Sequence, residues 1–271
     1  MLALATLTTG TGCADRPDVG EYDSYVALGD SFTSGAGLPR PARADSGCAG
    51  SELSYPHLVA EAVAAPLRDV SCGGASTQNG ARPQGAAPPQ LDAVDLDTQL
   101  VTVGMGANDF GWYLDVMFAC TTVAPSDPAG SPCAERSAGD LTALPPRIGR
   151  RVEALLDDVR RRAPDARVVL VGYPQPVPAD GTCAELPLAA GDYAFVRDQW
   201  DALDDALRAA AERSGATFVD VRTASEGHDI CAGSDAWVSG STSPPGEAAP
   251  YHPTVDGQAG LAELVVAALR T

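Results

Sequence analysis

The sequence predicts an α/β protein with three layers, α/β/α, around a central parallel sheet of about five strands. Two observations carry that expectation. Short runs of apolar and β-branched residues alternate with longer runs whose apolar residues recur at helical spacing. Strand followed by helix, repeated along the chain, is the pattern of a parallel sheet covered on both faces. A third observation bears on domain count: there is no internal repeat, and the polar stretches are short and carry cysteines.

The elements follow in order. "SYVALGD", residues 24–30, reads as a strand with Tyr25, Val26 and Leu28 buried, ending in a turn at Gly29-Asp30-Ser31. "YPHLVAEAVAA" from Tyr55 is helix-patterned, and "LRDVSC" from Leu67 is a short strand. "QLVTVGM", residues 99–105, is the clearest buried strand. "RIGRRVEALLDDVRRRAP" from Arg147 sets Ile148, Val152, Leu155, Leu156 and Val159 on one helical face and stops at Pro164. "ARVVLVGY" follows as the fourth strand. "DYAFVRDQWDALDDALRAAAERSG" is a long amphipathic helix closed by Gly215; "ATFVDV" is the fifth strand and "DGQAGLAELVVAALR" the last helix. Residues 120–146 and 174–190, rich in Pro, Ser, Gly and Ala, read as surface insertions, and the first of them is a candidate lid. Residues 21–271 are therefore expected to form one domain, with residues 1–20 a leader and disordered linker.

Composition removes whole classes of function. The formal net charge is −18, which disfavours nucleic acid and anionic lipid as partners. All 18 basic residues are arginine, so no amine exists for a Schiff base, a Walker-type phosphate loop or a Ser-Lys dyad. No apolar run approaches the roughly 18 residues of a membrane span. Six cysteines lie in the body of the chain without CxxC or zinc-ligand spacing, which suits three disulfides in an oxidising compartment. Of the 15 pairings that six cysteines allow, the sequential set Cys48–Cys72, Cys120–Cys133 and Cys183–Cys231 is expected; buried free thiols are the other reading. The seventh, Cys13, follows "MLALATLTTGTG" and resembles a lipoprotein processing site, though Gly10 stands where a leucine is usual and no basic start precedes it. Export, extracellular or to the cell surface, is expected, with Cys13 a candidate lipid anchor.

Chemistry in an open parallel sheet lies beyond the carboxyl ends of the strands. Three strands there end in unusual residues: Gly29-Asp30-Ser31, the Gly73-Gly74 pair in "SCGGAST", and Asn108 in "GMGANDFGW". Ser31 alone reads first as a helix cap. His252 in "PYHPTVDGQ", just before the last helix, supplies a base. No G-x-S-x-G elbow occurs, which argues against the ordinary α/β-hydrolase fold.

Taken together, "GDSFTSG", "CGGAST", "GMGAND" and "YHPT" resemble four blocks of the SGNH or GDSL hydrolases, in the family's order and over nearly the whole chain from about residue 22. The resemblance implies a flavodoxin-like three-layer fold and a serine esterase or lipase acting on acyl esters, with no metal and no organic cofactor. It implies Ser31 as nucleophile, His252 as general base, and an oxyanion hole from the Ser31 and Gly74 amides and the Asn108 side chain, with Gly73 a competitor for Gly74. The family commonly has Asp three residues before the histidine; here that position is Ala249. Some disulfide-bearing extracellular members orient the ring through a main-chain carbonyl instead, which implies a Ser-His dyad with the carbonyl of Ala249 or Pro250 as acceptor. Glu247 and Asp256 compete for that role. A carbohydrate deacetylase with the same residues, or an inactive surface-binding protein of the same fold, are the rival readings, and a monomer is the default.

Other candidates carry less. His57 and Glu61, four apart on a helix, lack a third metal ligand. His228-Asp229 sits in a loop beside Cys231. Phe110, Trp112 and Tyr113 line an acyl pocket or fill the core, and the pairs Asp157-Asp158 and Asp204-Asp205 read as solvated helix faces.

Overall fold

A computed structural model describes residues 22–42, 47–244 and 246–271. The expected leader, with Cys13, lies outside the described residues. Five parallel strands form one sheet in the order β2-β1-β3-β4-β5: β1 Tyr25–Gly29, β2 Leu67–Asp69, β3 Leu100–Gly104, β4 Arg167–Val171 and β5 Thr217–Val219. The first strand lies inside the sheet, paired on one side with the edge strand β2 and on the other with the central β3, where Gly29 faces Gly104.

Among the described residues, eight α-helices complete the three layers. They are α1 Ser31–Ser34, α2 Tyr55–Ala62, α3 Cys120–Val123, α4 Pro132–Leu141, α5 Pro145–Arg162, α6 Asp192–Ser214, α7 Val221–Ala224 and α8 Val255–Leu269. Alternate strand residues divide between two cores, as the two-residue period of a strand requires. Val26, Leu28, Val101 and Val103 face α5 and α6; Tyr25, Ala27, Leu100 and Val169 face α2 and α8. The apolar stripe anticipated on α5, from Ile148 to Val159, is buried throughout, and Gly215 closes α6 with φ +69°.

Three disulfides join the expected sequential pairs, Cys48–Cys72, Cys120–Cys133 and Cys183–Cys231. The first ties the segment after α1 to the end of β2, and the second links α3 to α4. No helix of the described residues is long and apolar enough to cross a membrane.

One expectation gains detail and another needs correction. Residues 120–146 are largely helical, with α3, α4 and the first residues of α5 inside them. The polar stretch folds because Asp192 accepts from the Cys133 and Ala134 amides at the start of α4, at 3.0 and 2.9 Å, and the disulfide pins that turn. Nor is Asp204 solvated: it is buried, 3.1 Å from Arg208 and 3.6 Å from Arg222. Burial raises its carboxyl to about 6, and the neighbouring Asp220 adds to the rise while the two arginines oppose it. Asp205 and Asp157 are exposed as read.

Candidate active site

The carboxyl ends of β1, β2 and β3 lie side by side, and the residues singled out by the sequence gather beyond them. Gly29 and Gly104, at the carboxyl ends of the interior strands β1 and β3, permit it. A Cβ on either would overlap the Thr33 hydroxyl, so only glycine lets α1 start directly over the strand ends. Thr33 Oγ1 donates to Gly104 O at 3.0 Å. Asp30 caps α1, accepting from the Phe32 amide at 2.9 Å, which frees Ser31 from the capping role considered for it.

Ser31 Oγ lies 2.7 Å from His252 Nε2. The ring's other nitrogen, Nδ1, is 2.8 Å from Pro250 O. A carbonyl can only accept, so Nδ1 carries the proton and Nε2 presents its lone pair to the serine hydroxyl. The Ala249 carbonyl is engaged elsewhere, by the His252 amide at 3.0 Å and the Ser239 hydroxyl at 2.6 Å. Glu247 and Asp256 are both exposed, and neither bonds the ring. Burial holds the imidazole pKa below its ordinary 6.5, partly offset by the Pro250 carbonyl. The ring is therefore neutral at pH 7.

Asn108 follows β3, and its Nδ2 donates to Ala75 O at 3.0 Å, leaving the second N–H of that amide unused by this bond. That contact brings the β3 loop onto the loop holding Gly73 and Gly74. The two glycines differ: the Gly73 amide donates to Cys48 O at 2.9 Å, whereas the Gly74 amide has no acceptor among the described residues. Gly74 adopts φ +76°, the left-handed region open to glycine. The Ser31 amide likewise has no acceptor among the described residues. Three uncommitted donors thus stand on the three adjacent strand ends.

Several residues that hold this arrangement escaped the sequence reading. Gln90 donates to and accepts from the Gly29 backbone at 2.9 and 2.8 Å, clamping β1 just before the turn. Gln258, buried in α8, accepts from the Tyr55 amide at 2.7 Å and donates to Phe32 O at 2.8 Å, fixing the helix after His252 against the turn that bears Ser31. Its signal was a polar residue on an apolar helical stripe. Tyr173, at the end of β4, donates to Asp30 Oδ2 at 2.6 Å and accepts from the Ala107 amide at 3.1 Å. Burial pushes the Asp30 carboxyl up to about 7, with the Tyr173 and Phe32 hydrogen bonds pulling the other way.

The aromatic trio separates. Trp112 is core, packed edge-on against Trp200. Tyr113 packs on Phe32 and on the His252 ring, and its hydroxyl donates to Tyr251 O at 3.1 Å. Phe110 is partly exposed, with Arg147 and Arg151 each 4.2 Å from its ring. His57 and His228 lie outside the site. His57 pairs with Ser54, while His228 meets Asp235 O at 2.7 Å and stacks on Trp237. No group of three or more metal-ligating side chains occurs among the described residues.

Comparison with known proteins fits this geometry. Residues 27–259 match the GDSL-like lipase/acylhydrolase family. The chain is 41% identical to a protein named Lipase 2 from Streptomyces coelicolor, over 95% of this chain and 89% of that one. Among solved structures, it resembles a phospholipase A1 from Streptomyces albidoflavus, at 30% identity and a TM-score of 0.77, covering 91% of this chain and 98% of the other. It also resembles an extracellular lipase from Streptomyces rimosus, at 30% identity and a TM-score of 0.76, covering 90% and 99%.

Proposed function

The chain belongs to the GDSL-like lipase/acylhydrolase family and is a carboxylic ester hydrolase, and from that membership we propose an exported serine esterase or lipase that works through an acyl-Ser31 intermediate. The observation that carries the proposal is the 2.7 Å contact between Ser31 Oγ and a His252 ring whose opposite nitrogen is committed to Pro250 O.

Catalysis begins when His252 Nε2 takes the hydroxyl proton as Ser31 Oγ adds to the ester carbonyl. The resulting oxyanion meets the Ser31 and Gly74 amides and the free N–H of Asn108, donors already oriented before charge develops. Collapse expels the alcohol, which takes the proton back from His252. Water then repeats the sequence: its proton goes to Nε2, its oxygen adds to the acyl carbon, and Ser31 leaves with that proton as the carboxylic acid departs. Pro250 O accepts from Nδ1 throughout. It fixes the tautomer as a triad carboxylate would, with less stabilisation of the imidazolium.

Export is supported by the three disulfides, which persist in oxidising compartments, and by the likeness to a lipase described as extracellular. The acyl-ester substrate is a lipid or a smaller ester. Fluorophosphonate labelling of the wild-type chain, abolished in Ser31→Ala, tests the nucleophile. A p-nitrophenyl ester series from acetate to palmitate sets the acyl length. Activity confined to acetate would favour a deacetylase, and no labelling or turnover at all would leave only a binding protein.

A further inference from the structure

We propose that Gln84 is a positioning residue for the oxyanion hole: its side-chain amide holds the Gly73–Gly74 peptide so that the Gly74 N–H is turned into the site. The proposal rests on the esterase reading and deepens it, by naming what aims one of the three donors.

Cys72, Gly73, Gly74 and Ala75 form a β-turn, closed by the Ala75 amide on Cys72 O at 3.0 Å. Of the two central residues only Gly74 lies in the left-handed region, at φ +76°. A positive φ confined to the third position is the type II form. Types I and II differ in the direction of the central peptide, which rotates by about half a turn between them. Glycine at both central positions leaves either form open. The surrounding backbone bonds do not choose. The Cys72, Gly73 and Ala75 amides donate to Gly29 O, Cys48 O and Cys72 O, and none of those groups belongs to the peptide that rotates.

Gln84 does choose. Its Nε2 donates to Gly73 O at 2.7 Å. That carbonyl and the Gly74 N–H are the two ends of one planar trans peptide and point in opposite directions. Holding the carbonyl therefore holds the N–H, which has no acceptor among the described residues. A peptide whose carbonyl already accepts is also polarised into a stronger donor. The proposed hole thus gains both direction and strength from a bond made on the far side of the peptide.

The side chain is placed for this. The Gln84 backbone is fixed by paired bonds with Ala87, each 3.0 Å. Its amide lies against the turn, 3.8 Å from where a Cβ on Gly74 would stand. A carbonyl only accepts, so nitrogen faces Gly73 O, and Oε1 is left buried with no partner among the described residues. An orphaned acceptor is costly. Half-buried Gln84 could relieve it by turning outward, and the bond to Gly73 O opposes that turn.

Gln84→Met and Gln84→Glu test the assignment. Both keep the length of the side chain, and neither donates to Gly73 O at pH 8. Loss of a whole oxyanion donor costs about 10²–10³ in turnover, so loss of its aim should lower kcat on p-nitrophenyl acetate by about tenfold to a hundredfold, with KM within about twofold. A trifluoromethyl ketone reports the hole directly: Ser31 Oγ adds to its carbonyl, the hydroxyl proton passes to His252, and the hemiketal oxyanion sits among the donors. Its affinity should fall by about the same factor as kcat/KM. A residue that only stitched two loops together would shift the unfolding midpoint and leave both ratios alone. A kcat within about twofold of wild type in either folded variant, or ketone affinity unchanged, overturns the assignment. If the wild-type chain hydrolyses no ester and takes no fluorophosphonate, the esterase reading fails. A crystal structure of Gln84→Met then decides the peptide lock alone: a Gly74 φ turned negative supports it, and one still near +76° overturns it.

Discussion

Replacing Asp30 with asparagine should make the protein relatively more stable as the pH rises from about 4 to 7. The carboxyl is fully buried at the end of β1, and its pKa rises from an ordinary 3.8 to about 7. A raised carboxyl pKa means that the folded state binds the proton more tightly than the unfolded chain does. Below pH 3.8 both states are protonated and nothing is lost. Between 3.8 and 7 the unfolded chain ionises while the folded one resists, so stability drains away across that window, and above 7 the loss is complete. A rise of roughly three units at about 1.4 kcal/mol each gives a loss of about 4 kcal/mol, of order the whole margin of many small domains. The assay is urea unfolding of wild type and Asp30→Asn with disulfides intact, at intervals from pH 4 to 8, following the difference in free energy between the two. Other titrating groups cancel in that difference, which should move toward the variant by several kcal/mol up to pH 7 and then level off. A flat difference, or one moving toward wild type, would refute the reasoning, since the carboxylate would then be ionised and satisfied inside the fold.

Four further outcomes follow from the site. Asn108→Ala should lower kcat by about 10²–10³ with little change in KM, as loss of one oxyanion donor does. Glu247→Ala and Asp256→Ala should each retain most esterase activity, because both side chains are exposed and neither bonds the ring; a loss near the roughly 10⁴ of a disabled triad carboxylate would point to one of them as the orienting group. The acid limb of kcat/KM should fall below pH 6.5, since burial depresses the His252 pKa and the neutral base survives to lower pH; a midpoint above 6.5 would indicate an unseen carboxylate partner. Tyr113→Phe, which deletes only the hydroxyl held by Tyr251 O, should reduce kcat several-fold through loosened ring position, read as a kcat fall at constant KM.

The fold was legible because its signals are periodic and redundant. Strands β1, β3 and β4 are buried on both faces and read as apolar runs, while α5, α6 and α8 carry long apolar stripes. Helix α4 was not legible, since "PCAERSAGDL" has few large apolar residues, lies in a Pro-, Ser- and Gly-rich stretch, and is held by a carboxylate 51 residues beyond its end, Asp192. The sequence favours Gly74 without excluding Gly73, and leaves Ala249 and Pro250 open. Those choices turn on which amide or carbonyl is already engaged, and only three-dimensional pairing decides that. Asp204 carries a local signal that the expectation of a solvated face overlooks, a polar residue on the α6 stripe of Trp200, Leu203 and Leu207 with Arg208 one turn on, whereas its second partner, Arg222, comes from α7.

A site with no carboxylate beside its histidine is nonetheless held firmly. Ser31, Asn108 and Gly74 belong to loops on three strands, and loops alone would leave their spacing loose. Buried Tyr173, Gln90 and Gln258, each with both ends occupied, instead bind the turns around the site, and partly buried Asn108 adds one bond of its own. Tyr173 joins Asp30 to Ala107, Asn108 reaches Ala75, Gln90 grips Gly29, and Gln258 joins Phe32 to Tyr55. Such residues would be liabilities in a core if half-satisfied; fully paired, they set the separation of loops that share no sequence neighbourhood. The raised Asp30 carboxyl then has a structural meaning. It is the strained member of a network whose remaining bonds hold the serine turn against the Asn108 loop, so Asp30→Asn should gain stability at neutral pH while loosening the geometry that the proposed oxyanion hole requires.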